Sequence, residues 1–96
     1  MPSASTWAER AQAFHDANPH VYDELVSLCL VLRRKGYVRY SVKGLFEVLR
    51  FKQALRTKPT DGEFKLNNNY TAWYARKIMQ SESELGAFFE VRARRR

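Results

Sequence analysis

Apolar residues recur along the chain at three- and four-residue spacing, with polar residues gathered at caps and turns, so the pattern predicts a mainly helical domain. Thr6-Trp7-Ala8-Glu9 reads as a capping box heading a first helix, about 6–16. Trp7, Ala11 and Phe14 follow at helical spacing, and Trp7 and Phe14 are expected to pack on the body. Asn18-Pro19 starts the next helix, with Asn18 as N-cap and Pro19 at the first helical position, where its missing N–H costs nothing. Val21, Leu25, Leu28, Cys29 and Leu32 form its apolar stripe, with Asp23, Glu24 and Ser27 outside it. Acids in its first turns and Arg33-Arg34-Lys35 in its last suit the helix dipole, and Gly36 ends it in the left-handed conformation.

Tyr37-Val38-Arg39-Tyr40 is rich in strand formers, but four residues need a partner strand or else form an extended connector. Ser41 caps a helix over about 42–55 whose core side is Val42, Leu45, Phe46 and Leu49, with Gln53 at its edge. Lys43, Arg50, Lys52 and Arg56 lie outside that stripe. Pro59 and Asp61-Gly62 mark a loop over 57–63, after which Phe64 and Leu66 share one side of an extended piece. A helix over about 68–80, capped by Asn67 or Asn68, carries Tyr70, Trp73, Tyr74, Lys77 and Ile78 on neighbouring turns, leaving Asn68, Asn69, Thr71 and Arg76 to point elsewhere. Ser81 or Ser83 caps a short turn through Leu85, Gly86 breaks it, and 88–91 reads as a final strand or a hydrophobic clamp. Residues 1–91 thus form one compact domain and 92–96 a basic tail, with no internal repeat.

Charge changes the picture more than composition does. With 45% apolar and 28% charged residues and few Gly or Pro, the 96-residue chain has the make-up of a folded soluble domain. Its formal charge of +7 is unevenly placed. One Arg against four acids leaves residues 1–32 negative, whereas nine Lys or Arg against Glu47 make residues 33–58 strongly positive. Residues 59–91 are again mildly acidic, and 92–96 add four Arg. A field focused in this way favours an anionic partner, foremost nucleic acid. The absence of a basic-then-apolar leader and of a long apolar run makes the cytoplasm the expected compartment, with no membrane contact.

The order helix, short extended segment, helix, connector, helix, short extended segment resembles a winged helix-turn-helix domain. The resemblance implies a small helical domain with short β segments, in which 37–40 stands as first strand, 42–55 as supporting helix, 68–80 as third, recognition helix and 88–92 as a reduced wing strand. The connector 57–66 is longer than the tight turn of that family. Through the segments NPHVYDELV, GYVRYSVKGLFEVLR and FKLNNNYTAWYARKIM, the chain also resembles small phage or prophage proteins, a likeness that implies a compact domain and carries no activity.

On duplex DNA, Arg33, Arg34, Lys35, Arg39, Lys43 and Lys52 are the expected phosphate contacts, while Asn68, Asn69, Thr71 and Arg76 reach base edges if the third helix enters the major groove. The role expected is regulatory or accessory, including transcription regulation. Tyr37, Tyr40, Tyr70, Trp73 and Tyr74 raise single-stranded stacking as an alternative, decided by their exposure. A non-enzymatic module that binds an acidic host or phage protein is the rival reading. An exposed patch of Leu85, Phe88, Phe89 and Val91 would favour that rival, or a homodimer through the same residues.

Enzymatic chemistry finds little footing. Asp61, Glu63 and Lys65 match the acid-x-acid-x-lysine pattern of some metal-dependent nucleases, but they lie in a turn with no sheet to fix them. Cys29, the sole cysteine, belongs to an apolar stripe and cannot form an internal disulfide. His15 and His20 straddle a helix boundary, so they make no same-face zinc pair, and no Gly-rich phosphate loop is present. The expectation is a non-enzyme without cofactor or metal.

Overall fold

The computed structural model describes residues 6–58 and 66–89, which contain four α-helices: α1 (Trp7–Ala17), α2 (Pro19–Arg34), α3 (Val42–Arg56) and α4 (Thr71–Ser81). Short 3₁₀ turns over Asn68–Tyr70 and Ser83–Leu85 flank α4. The loop signals at Pro59 and Asp61-Gly62, the nuclease-like residues Asp61, Glu63 and Lys65, Phe64, Val91 and the arginine tail lie outside the described residues.

Local sequence sets most of the helix ends. Thr6 Oγ1 accepts from the Glu9 N–H while the Thr6 N–H donates to the Glu9 carboxylate, closing the capping box. At the end of α2, Gly36 takes φ 108°, the Tyr37 N–H reaches Leu32 O and the Gly36 N–H reaches Arg33 O, each at 3.1 Å. This is the paired Schellman closure, which a residue with a Cβ would strain. Ser41 Oγ accepts from the Gly44 N–H to start α3. Asn18 departs from expectation: its side chain makes no cap bond to α2 and instead donates back to Phe14 O at 3.0 Å. It closes α1, while Pro19 begins α2 without needing a donor.

The winged architecture is not formed: among the described residues there is no strand. Tyr37–Tyr40 is irregular, and the Tyr40 N–H donates to Phe88 O at 3.2 Å without a ladder forming among the described residues. The reason lies in Phe88 and Phe89. A half-buried strand alternates inward and outward side chains, yet these two adjacent rings are both buried, 5.4 Å apart, so the segment clamps the core as a turn. The short β segments of the sequence reading are therefore replaced by a connector and a clamp in an all-helical bundle.

One core joins the bundle. Val21, Leu25 and Cys29 of α2 meet Leu45, Phe46 and Leu49 of α3, Tyr74, Ala75 and Ile78 of α4, and Leu66, Leu85, Phe88 and Phe89. The α3 stripe is the predicted one, with Val42 packed at its margin. Arg50 clips α3 to the start of α4, donating to Leu66 O and, at 2.6 Å, to Asn68 Oδ1. Around α4, Phe14, His15, Tyr22, Tyr70, Trp73 and Tyr74 make a chain of ring contacts that holds α1 against the bundle.

Candidate nucleic-acid interface

The ten polar and cationic candidates separate into three places. Arg33, Arg34 and Lys35 ride the last turn and cap of α2, Arg39 the connector, and Lys43 the first turn of α3, and all five are exposed. No acid occurs between Glu24 and Glu47, so nothing within this stretch neutralises them. Arg33, Arg34, Lys35 and Lys43 form no ion pair among the described residues. Tyr37 and Tyr40 alternate with the cations in sequence and are 49% and 39% exposed, with their rings edge to face at 5.9 Å. The five cations follow one another from the end of α2 through the Gly36 turn to the start of α3; Arg39 and Lys43 line one shallow depression, and Arg33 lines another together with Glu84.

Lys52 stands apart. It shares a shallow depression with Asp23, Glu24 and Arg56, and Arg56 pairs with Glu24 at 2.8 Å. Its charge therefore sits among acids.

The α4 candidates form the third place. Asn68 is occupied twice, accepting from Arg50 through Oδ1 and from the Thr71 hydroxyl through its backbone O. Asn69 and Arg76 are exposed and line a groove of about 620 Å³ between α1 and α4. Its walls are Trp7 and Trp73, and Ala8 and Ala72 also line it. Gln12, Lys77 and Gln80 complete its polar lining. Lys77 Nζ lies 5.6 Å from the Trp73 ring and 5.9 Å from the Tyr22 ring, while the Arg10 guanidinium stands 4.9 Å from the Trp7 ring. From Tyr22, which meets Lys77, to Arg33 the α2 axis runs for roughly 16 Å, so groove and basic surface are separate regions.

The aromatic candidates divide likewise. Tyr74 is buried, Tyr70 and Trp73 are half-buried, and Tyr37 and Tyr40 are exposed. Trp7, expected to pack against the body, meets Tyr70 edge-on at 6.4 Å yet stays 46% exposed, and neither it nor Gln12 and Gln80 stood out in the sequence as site residues, because their role depends on α1 lying beside α4. Leu85, Phe88 and Phe89 do not form an exposed patch, being core residues of this chain. The exposed apolar ridge is elsewhere, on α3: Val48, Phe51 and Leu55 are 38%, 65% and 71% exposed. Their spacing of three and four residues sets them on one face, away from Leu45, Phe46 and Leu49.

Other chemistry is scarce. Among the described residues no group of three His, Cys, Asp or Glu is placed to hold a metal ion, and no helix is long and apolar enough to cross a membrane. Burial pushes the Cys29 thiol from 9.0 up to about 12. Because the thiolate is the reactive form, alkylation of the native protein at pH 8 should be at least about a hundredfold slower than in denaturant. Equal labelling rates in the two conditions, measured by mass spectrometry with iodoacetamide, would contradict a buried Cys29. Raising the folded pKa also links folding to pH: the contribution is complete below about 9 and is lost as pH rises towards about 12.

Comparison of the chain with protein-family models, curated proteins and solved structures gives no match.

Proposed function

We propose that the protein binds nucleic acid, gripping phosphates with the surface made by the end of α2, the connector and the start of α3, in an accessory or regulatory role rather than a catalytic one. The observation that carries this reading is the acid-free stretch 33–43, which exposes Arg33, Arg34, Lys35, Arg39 and Lys43 around two exposed tyrosines. Several cations within one short stretch of chain match the dense charge of a phosphate backbone, and rings beside them in sequence add stacking on sugars or bases. Phosphate contact is common to duplex and single strand, so this surface supports nucleic acid without choosing between them. Binding to random duplex and single strands across a salt series tests the reading. Affinity should fall steeply as salt rises, and no binding at low salt would reject it.

A second reading, docking of an acidic protein segment, is favoured by the α3 ridge. Val48, Phe51 and Leu55 offer an apolar stripe on a basic helix, which suits an acidic amphipathic helix. Since Phe51 and Leu55 bury little in their own fold, Phe51→Ser with Leu55→Ser should change folding stability by less than about 1 kcal/mol in urea titration. The same pair of changes should weaken capture of an acidic amphipathic helical peptide and leave the salt dependence of nucleic-acid binding intact. Unchanged peptide capture would remove this reading.

A further inference from the structure

We infer that the groove between α1 and α4 is a stacking site for an unpaired base of single-stranded nucleic acid. This rests on the nucleic-acid reading above and adds what that reading leaves open, the strandedness of the ligand. Trp7 and Trp73 wall the groove from opposite helices, and the small side chains of Ala8 and Ala72 leave space between them. At about 620 Å³ the groove falls in the size range of small-ligand sites, enough for a base with its sugar and phosphate.

The lining matches the three parts of a nucleotide. Indole faces stack on any base, because every base has a π-face. Asn69 carries a carboxamide that donates and accepts at once, as the hydrogen-bonding edge of an unpaired base requires, and Gln12, whose Nε2 donates to Asp16 at 2.9 Å, keeps its carbonyl oxygen as an acceptor. Arg76 and Lys77 supply positive charge for the phosphate, and no carboxylate lines the groove to oppose it. A base inside a duplex keeps both faces stacked on its neighbours and its pairing edge occupied, so it can use neither the indoles nor these carboxamides in this way. Asn69 and Arg76, set in a groove flanked by α1, therefore suit an extruded or unpaired base better than the edges of a base pair.

The chain has two tryptophans, and both line the groove, so indole emission excited at wavelengths where tyrosine does not absorb comes from this site. The test titrates the full chain with a single-stranded decamer of mixed sequence and with the fully paired duplex of that sequence. The single strand should quench the indole emission saturably and the duplex should not. Trp7→Ala and, separately, Arg76→Ala should each weaken single-strand binding by about tenfold while leaving duplex binding unchanged. Arg76 is exposed, so its variant remains informative even if Trp7→Ala loosens α1. Binding of both ligands with no change in emission, or with full affinity in both variants, would overturn the groove assignment and leave the phosphate reading standing. Failure of both ligands to bind at low salt would overturn the two together.

Discussion

An alanine at position 46 is expected to remove about 3–5 kcal/mol of folding stability. Phe46 is fully buried, and its ring meets Tyr74 edge to face at 5.9 Å, joining α3 to α4 at the centre of the cluster that also holds Leu25, Cys29 and Ile78. Truncation loses both the transfer of the ring from water and the contacts of the neighbours left facing a void, because helices pinned at several points collapse only partly into it. Small domains have roughly 5–15 kcal/mol in total, so this single change would remove from about a fifth to nearly all of it. Urea denaturation followed by circular dichroism checks it: the midpoint should fall sharply with the slope unchanged. A loss below about 1 kcal/mol would mean that Phe46 is not central. Phe51, five residues further on the same helix and 65% exposed, gives the contrasting case.

That contrast shows what could be read in the chain. The α3 sequence carries two apolar stripes, one with Leu45, Phe46 and Leu49 and one with Val48, Phe51 and Leu55, and the first was legible as core because it is wider and flanked by Val42. Caps at Thr6, Ser41 and Gly36 were legible because each depends on side chains within a few residues. Asn18 could serve either of two adjoining helices, and local sequence does not rank a bond back to Phe14 O against a bond forward into α2. The strand reading of 37–40 and of Phe88 and Phe89 failed because so few residues hold too little periodicity to separate a strand from a connector, and because the burial of two adjacent rings is a tertiary outcome. The site followed the same division. The cation run from Arg33 to Lys43 is a property of sequence, whereas its separation from Asn69 and Arg76, and the pairing of Trp7 with Trp73 across a groove, arise only when α1 packs beside α4.

Removing Arg33, Arg34, Lys35 and Lys43 together, each changed to Gln, is expected to lower the dependence of log affinity on log salt for duplex DNA by about 3–4 units. Each phosphate contact releases about 0.9 of a condensed counterion, so these four would account for roughly a hundredfold of the affinity that the native protein loses between about 50 and 200 mM salt. The fold should not respond. All four side chains are exposed and form no ion pair among the described residues, so circular dichroism should match that of the native protein and stability in urea should fall only by the helix-dipole share of Arg33, Arg34 and Lys35, about 1–2 kcal/mol. Lys52→Gln provides the contrast within the same basic block. Its charge shares a depression with Asp23 and Glu24, and the substitution should lower the slope by less than about 0.3 unit, well short of the roughly 0.9 of one phosphate contact. A quadruple variant with the native slope would move the phosphate contacts away from the α2–α3 connector. A Lys52 variant that lost about 0.9 unit, the full share of one phosphate contact, would extend the contacts along the flank of α3.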